Sequence, residues 1–158
     1  MKFTKYQALG NDYLIAESEE IAGQLSPPFI RWLCDRHVGV GADGLLVSET
    51  PDSRYSLRIF NPDGSEAEKS GNGLRIYARY LWDQERVADE PFTLRSAGGV
   101  VTCRVASGGD AVEVSMGPVS FWSQDIPIIG ARCFVSPSTS AKSASRSPQP
   151  PSAIPIVS

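Results

Sequence analysis

Residues 73–83, GLRIYARYLWD, constrain what the chain can fold into more than any other stretch. Leu74, Tyr77, Ala78 and Leu81 recur at the helical spacing, and Ile76 and Tyr80 widen the apolar face. The pattern predicts an amphipathic helix with a broad apolar side. Directly before it stands Lys69-Ser70-Gly71-Asn72-Gly73, two glycines and an asparagine with one serine hydroxyl at the turn. A helix start carries amide N–H groups without intrahelical partners and a partial positive charge, which suits a carboxylate or a phosphate. The glycines remove Cβ atoms that would hold a ligand off, and Asn72 offers both a donor and an acceptor. Ser70 is expected at or near the N-cap, where a hydroxyl ordinarily bonds its own backbone.

Around this helix the chain reads mostly as short strands. They fit residues 3–7 and 13–16, separated by the turn signal LGND, then LLVSE (45–49) and YSLRIFN (55–61). Ser26 followed by two prolines and FIRWLCDRH reads as a capped helix start, with the glycines of HVGVGADG ending that helix. After the central helix come FTLRS (92–96), GVVTCRVAS (99–107), the turn GGD, and AVEVSMG (111–117). The last two runs form a hairpin, because a Gly-Gly turn joins two alternating segments. The order is mixed α and β, with more strand than helix.

With 158 residues, 41% of them apolar and 21% charged, the chain has the composition of one globular domain with a sizeable core. A net charge of -3 gives no footprint for nucleic acid, and Trp32, Trp82 and Trp122 are too scattered for a stacking platform. No run approaches the length of a membrane span, and MKFTKYQALGND lacks the apolar core of a signal peptide, so no membrane partner and a cytoplasmic location are expected. Cys34, Cys103 and Cys133 are odd in number, far apart and without metal-ligand spacing; reduced, structural thiols and no metal site are expected. The single histidine, His37, is expected as a partly buried residue at a helix end. Asp63, Glu66 and Glu68 read as turn and pre-helix charges rather than an acid/base pair. Residues 136–158 hold eight serines and five prolines in 23 positions, and no acidic residue follows Asp125. Such a tail has too little apolar surface to offset its ordering entropy and is expected to be disordered.

Asparagines after strand-end turns recur, at Asn11 in LGND and at Asn61 in RIFNPDG, beside the glycine-rich GVGADG. Together KFTKYQALGNDY, CDRHVGVGADG and RIFNPDGSEAEKSGNGLRIYARYL, in that order, resemble the amino-terminal half of diaminopimelate epimerases, over roughly residues 1–125. The resemblance implies an α/β (α+β) domain in which a curved mixed β-sheet wraps around a central helix. It also implies a cofactor-independent epimerase, without pyridoxal phosphate, that inverts an α-carbon of diaminopimelate in lysine and cell-wall synthesis. The family has two such domains, with the substrate in the cleft between them. Carried over position by position, substrate-binding asparagines fall on Asn11 and Asn61, and the clamp on the reacting carboxylate falls on Gly71 and Asn72. A binding glutamine present in some members falls on Gly44, so that contact is absent.

The catalytic position falls on Ser70, where the family's epimerases carry one of two cysteines that face each other across the substrate. One thiolate removes the α-proton and the other thiol delivers a proton to the opposite face. A thiol suits this because a helix N-terminus lowers its pKa, whereas a serine hydroxyl is a far weaker acid. The partner cysteine belongs to the second domain, for which the chain has no room; neither Cys103 nor Cys133 lies in the glycine-rich turn expected around it. The expected organisation is a domain over 1–122, a linker or start of a missing second domain over 123–135, and the tail over 136–158. The expected partners are a small amino-acid substrate resembling diaminopimelate and either a homodimer mate or a missing second half. A non-catalytic amino-acid-binding or partner-binding domain, or an isomerase with another amino-acid substrate, is the alternative.

Overall fold

The computed structural model describes residues 1–21, 23–49, 55–117 and 154–156. The strands β1 (Thr4–Ala8) and β2 (Asn11–Glu17) form a hairpin around Leu9 and Gly10. Two short helices follow, α1 (Ser18–Ile21) and α2 (Pro27–Cys34), then β3 (Leu45–Glu49), β4 (Tyr55–Phe60) and the two-residue β5 (Glu66–Ala67). The long helix α3 (Gly71–Asp83) precedes β6 (Phe92–Ser96), β7 (Gly99–Ala106) and β8 (Ala111–Val114), and β9 is Ile154–Ile156. Among the described residues all the strands join one sheet, ordered β8-β7-β6-β4-β3-β2-β1-β9, with β5 added against β4. The pairs β2–β3 and β4–β6 are parallel and the others antiparallel, so the sheet is mixed.

The apolar side of α3 explains the curvature. Its Leu74, Ile76, Tyr77, Ala78 and Leu81 are fully buried in one cluster with Tyr6 of β1, Ile15 of β2, Leu46 of β3 and Leu57 of β4. The same cluster includes Leu94 of β6 and Val101, Cys103 and Val105 of β7. β1 and β7 stand near opposite edges of the sheet, and one helix meets both only if the sheet curls around it. The curved sheet around a central helix is therefore as expected. Each large side chain buried this way contributes about 1.5–3 kcal/mol. The other sheet face, through Leu14, Ala16, Leu45 and Val47, packs against Ile21 of α1 and Ile30 and Leu33 of α2. Strand alternation divides β2 between the two cores, with Tyr13 and Ile15 toward α3 and Leu14 and Ala16 toward α2.

The elements depart from the sequence pattern at several boundaries. The α3 helix begins at Gly71 because Ser70, extended at φ -140° and ψ 118°, caps it, drawing Gly71 and Asn72 into the first turn. The α2 helix stops at Cys34, ahead of the glycines, because the Asp35 carboxylate accepts the His37 and Val38 amides at 2.7 and 3.0 Å and turns the chain out. His37 is exposed in that turn, not partly buried. Ser26 precedes α2 in extended conformation, but its side chain makes no cap bond; its carbonyl accepts the Ile30 amide at 2.9 Å. The β7–β8 hairpin turns at Gly108 and Gly109, both with positive φ, as the Gly-Gly signal predicts. Most of the tail, the 123–135 segment, Trp122 and Cys133 lie outside the described residues, as does the boundary at 122. Of the tail, Ile154–Ile156 pair antiparallel with β1, an edge position where Pro155 does not interrupt a central ladder. Among the described residues, no helix is long and apolar enough to cross a membrane.

Candidate functional site

Strand register brings the sequence motifs to one end of the sheet. Leu14 pairs with Leu45 in parallel, and Leu45 with Phe60 in antiparallel register. The start of β2, the start of β3 and the end of β4 therefore lie side by side, and with them Asn11, Asp43, Gly44 and Asn61. The start of α3 joins this end through one contact, the Tyr13 hydroxyl at 3.3 Å from Ser70 Oγ.

Ser70, Gly71 and Asn72 form the entrance of α3. The Gly73 amide donates to Ser70 Oγ at 3.1 Å, and the Leu74 amide to the Ser70 carbonyl at 2.9 Å. Helix geometry provides no intrahelical partner for the amides of Gly71 and Asn72, and none is found among the described residues, so two donors stand at the positive helix end. A Cβ at Gly71 would stand in ordinary van der Waals contact, at 3.9 Å, with the Arg75 guanidinium and the Met116 thioether, so these two side chains flank the entrance. Arg75 also donates to Asn72 Oδ1 at 3.3 Å, so a cation stands beside the entrance. Lys69 Nζ donates to the Met116 carbonyl at 3.4 Å, turning it to the segment after β8.

Asn11 is held by charge. Its Nδ2 donates to Asp43 Oδ2 at 3.0 Å, and the same oxygen accepts the Asp12 amide at 3.0 Å. Arg36 ties Asp12 and Asp43 together, forking onto both oxygens of Asp12 and reaching Asp43 Oδ1 at 2.8 Å. Lys5 Nζ adds a contact of 2.9 Å to Asp12. Burial works to raise the Asp12 carboxyl pKa, but the hydrogen bonds from Arg36 and Lys5 outweigh it and hold it well below the usual carboxylate range. The network locks the LGND turn onto the GVGADG loop. Asn61 instead closes its own turn, its Nδ2 donating to Ser65 Oγ at 2.9 Å and its carbonyl accepting the Gly64 amide at 2.9 Å. The bonds of Asn11 and Asn61 thus run to Asp43 and Ser65; the two side chains share the sheet end with Ser70 without bonding to the α3 entrance.

Gly44 has a steric role that its sequence context did not reveal. A Cβ there would come within 2.5 Å of both the Phe60 carbonyl oxygen and the Tyr13 ring. The ring occupies the volume a side chain at 44 would need. Tyr13, Asp12, Asp43 and Arg36 are the site residues that sequence reasoning missed. The alternation of β2, which puts Tyr13 on the α3 face, was the one signal that could have found Tyr13; the charges of GADG and CDRH stood behind their glycines.

No thiol stands at this corner among the described residues. Cys34 and Cys103 are free and buried, and burial pushes their thiols up to about 11 and about 12. Cys103 faces the α3 core. A cavity of about 520 Å³ lies on the other sheet face, between Ile21, Ile30, Val47 and Phe60, with Arg58 and Glu66 at its wall, and none of the expected site residues lines it. Chemically, the corner offers amide donors and a hydroxyl to an anion, and amide side chains to a polar neighbour.

This curled sheet around one helix is a fold seen in larger proteins of known structure. It matches a phenazine biosynthesis protein of the PhzF family from Bacillus anthracis (TM-score 0.53, 16% identity, 72% of this chain and 40% of that one). It also matches a methylitaconate-delta-isomerase (TM-score 0.53, 10% identity, 68% and 35%). Those likenesses define the fold alone, an α+β domain with a curled mixed sheet. The sequence is more specific: the family model for diaminopimelate epimerase matches residues 3–122, and the chain belongs to that family. It is 52% identical over 132 residues to diaminopimelate epimerase 2 of Nostoc sp., covering 82% of this chain and 46% of the relative. It is 41% identical over 134 residues to the diaminopimelate epimerase of Laribacter hongkongensis, covering 83% and 48%. The chain thus spans about half the length of the relatives it matches.

Proposed function

We propose that this chain is the amino-terminal half of a cofactor-independent amino-acid epimerase acting on diaminopimelate or a close analogue. The domain, in this proposal, ends near residue 122, beside the family match over residues 3–122. In this proposal the amides of Gly71 and Asn72 hold the carboxylate of the reacting α-carbon, and Asn11 and Asn61 meet the polar groups of the substrate. Ser70 takes the position of the proton-transferring group. The setting is cytoplasmic amino-acid biosynthesis.

The observation that carries the proposal is the α3 entrance, where the helix-start amides of Gly71 and Asn72 have no partner among the described residues, within a domain of this family. Inverting an α-carbon needs an acceptor on one face and a donor on the other. Among the described residues Ser70 brings a hydroxyl to the α3 entrance, and in this proposal a second group on the opposite face completes the pair.

A second reading, a non-catalytic amino-acid-binding domain, is favoured by one observation. The hydroxyl of Ser70 is already committed to the Gly73 amide and the Tyr13 hydroxyl, as a structural cap would be. Calorimetric titration of the full chain with diaminopimelate, alongside 1,5-diaminopentane, tests the shared binding claim. Saturable binding of the diacid and none of the diamine is expected; equal heats for the two, or none for either, would contradict it. Adding a carboxy-terminal half from a relative and following α-hydrogen exchange in deuterated water separates the two readings.

A further inference from the structure

We infer that Tyr13 is a positioning residue for Ser70, and that it makes Ser70 a hydrogen-bond donor toward the bound carboxylate rather than a proton acceptor. The inference rests on the binding site proposed above. A serine hydroxyl has one proton and two acceptor positions. One position of Ser70 Oγ is taken by the Gly73 amide at 3.1 Å. The Tyr13 hydroxyl lies 3.3 Å from the same oxygen. A phenol is a much stronger acid than an alkyl hydroxyl, so between these two groups the phenol donates and the serine oxygen accepts. Tyr13 is 6% exposed, and a buried tyrosine hydroxyl needs a partner, which Ser70 supplies.

With both acceptor positions filled, the Ser70 oxygen has no lone pair left for an α-proton, which favours the second, non-catalytic binding reading above. Its own proton remains, beside the outward amides of Gly71 and Asn72. Two donors onto the oxygen also polarise the O–H bond and strengthen it as a donor. The entrance of α3 therefore presents three donors to one anion.

Gly44 makes the arrangement possible. The Tyr13 ring reaches Ser70 across the volume a side chain at 44 would fill, within 2.5 Å of where a Cβ would stand. Gly44, Tyr13 and Ser70 act as one unit spread over a loop, a strand and a helix start.

A double-mutant cycle on diaminopimelate binding by the full chain tests this, using Tyr13→Phe, Ser70→Ala and both together, with thermal melts run alongside. Tyr13→Phe is expected to weaken binding about threefold to tenfold, the worth of one hydrogen bond, and to have no effect once Ser70 is alanine. An unchanged affinity in Tyr13→Phe, or the same loss in both backgrounds, would overturn the inference. If the unmutated chain binds no diaminopimelate, the functional proposal fails and the donor assignment is decided by NMR on that same chain. A slowly exchanging Tyr13 hydroxyl proton with a nuclear Overhauser contact to the Ser70 β-protons then supports it, and the absence of that contact overturns it.

Discussion

A serine at position 70 changes what the first turn of α3 can do, because the helix end there favours whatever anion it meets. A thiol in the same place would have its ionised form stabilised. Ser70→Cys is therefore expected to give a cysteine with a pKa below the ordinary value of about 8.5, read from the pH dependence of its alkylation. Cys34 and Cys103, buried and pushed to about 11 and about 12, serve as unreactive internal controls. A pKa at or above the ordinary value would mean that the entrance exerts no such field. Asp12 is a second single-residue test. Its carboxyl titrates lower in the fold than in the unfolded chain, so its stabilisation is fully present above the unfolded value of about 3.9 and is lost as pH falls toward the folded one. Asp12→Asn is expected to cost roughly 1.5–3 kcal/mol near neutral pH, in urea unfolding, with the gap to the unmutated chain narrowing progressively as pH falls below the unfolded value of about 3.9. A gap that stays constant with pH would contradict the Arg36–Asp12–Lys5 account.

At the scale of elements, α3 is the pivot around which the sheet curls. Leu74 has no exposure and touches a cluster drawn from strands across the sheet. Leu74→Ala is expected to cost about 2–5 kcal/mol in denaturant unfolding, whereas the half-exposed Trp32 on α2, changed to alanine, is expected to cost far less. Equal losses would mean that α3 is not the centre of the core. The elements legible in the sequence are those decided locally. LLVSE and FTLRS coincide with β3 and β6, and the spacing of Leu74, Tyr77, Ala78 and Leu81 places α3. What was not legible depends on distant partners. β5 exists because Glu66 lies against β4, where Arg58 grips its carboxylate at 2.7 and 2.9 Å. The Gly44–Tyr13–Ser70 contact needs a loop, a strand and a helix start to converge, and no local pattern states that. Motif order, by contrast, marked Asn11, Asn61, Ser70, Gly71 and Asn72; the sheet register brings Asn11 and Asn61 to one end, where the Tyr13 hydroxyl lies 3.3 Å from Ser70 Oγ.

At the scale of the whole molecule, the chain spans about half the length of the relatives it matches. Trp32, Val38 and Val40 at the end of α2, with Leu9, Val100 and Met116 elsewhere, are large apolar side chains left exposed. Exposed apolar surface of that kind is usually covered by another protein surface. The chain is therefore expected to self-associate, with a weight-average mass in sedimentation equilibrium that rises with concentration; a monomer at every concentration would show that this surface needs no cover.

The central claim, that the start of α3 grips the carboxylate of a small amino acid, is tested most directly by an amide NMR titration of the full chain with diaminopimelate. The Gly71 and Asn72 amide resonances should shift with a common saturation curve and stay fixed when 1,5-diaminopentane is added instead. Shifts confined to other parts of the chain, or the same response to the diamine, would contradict it.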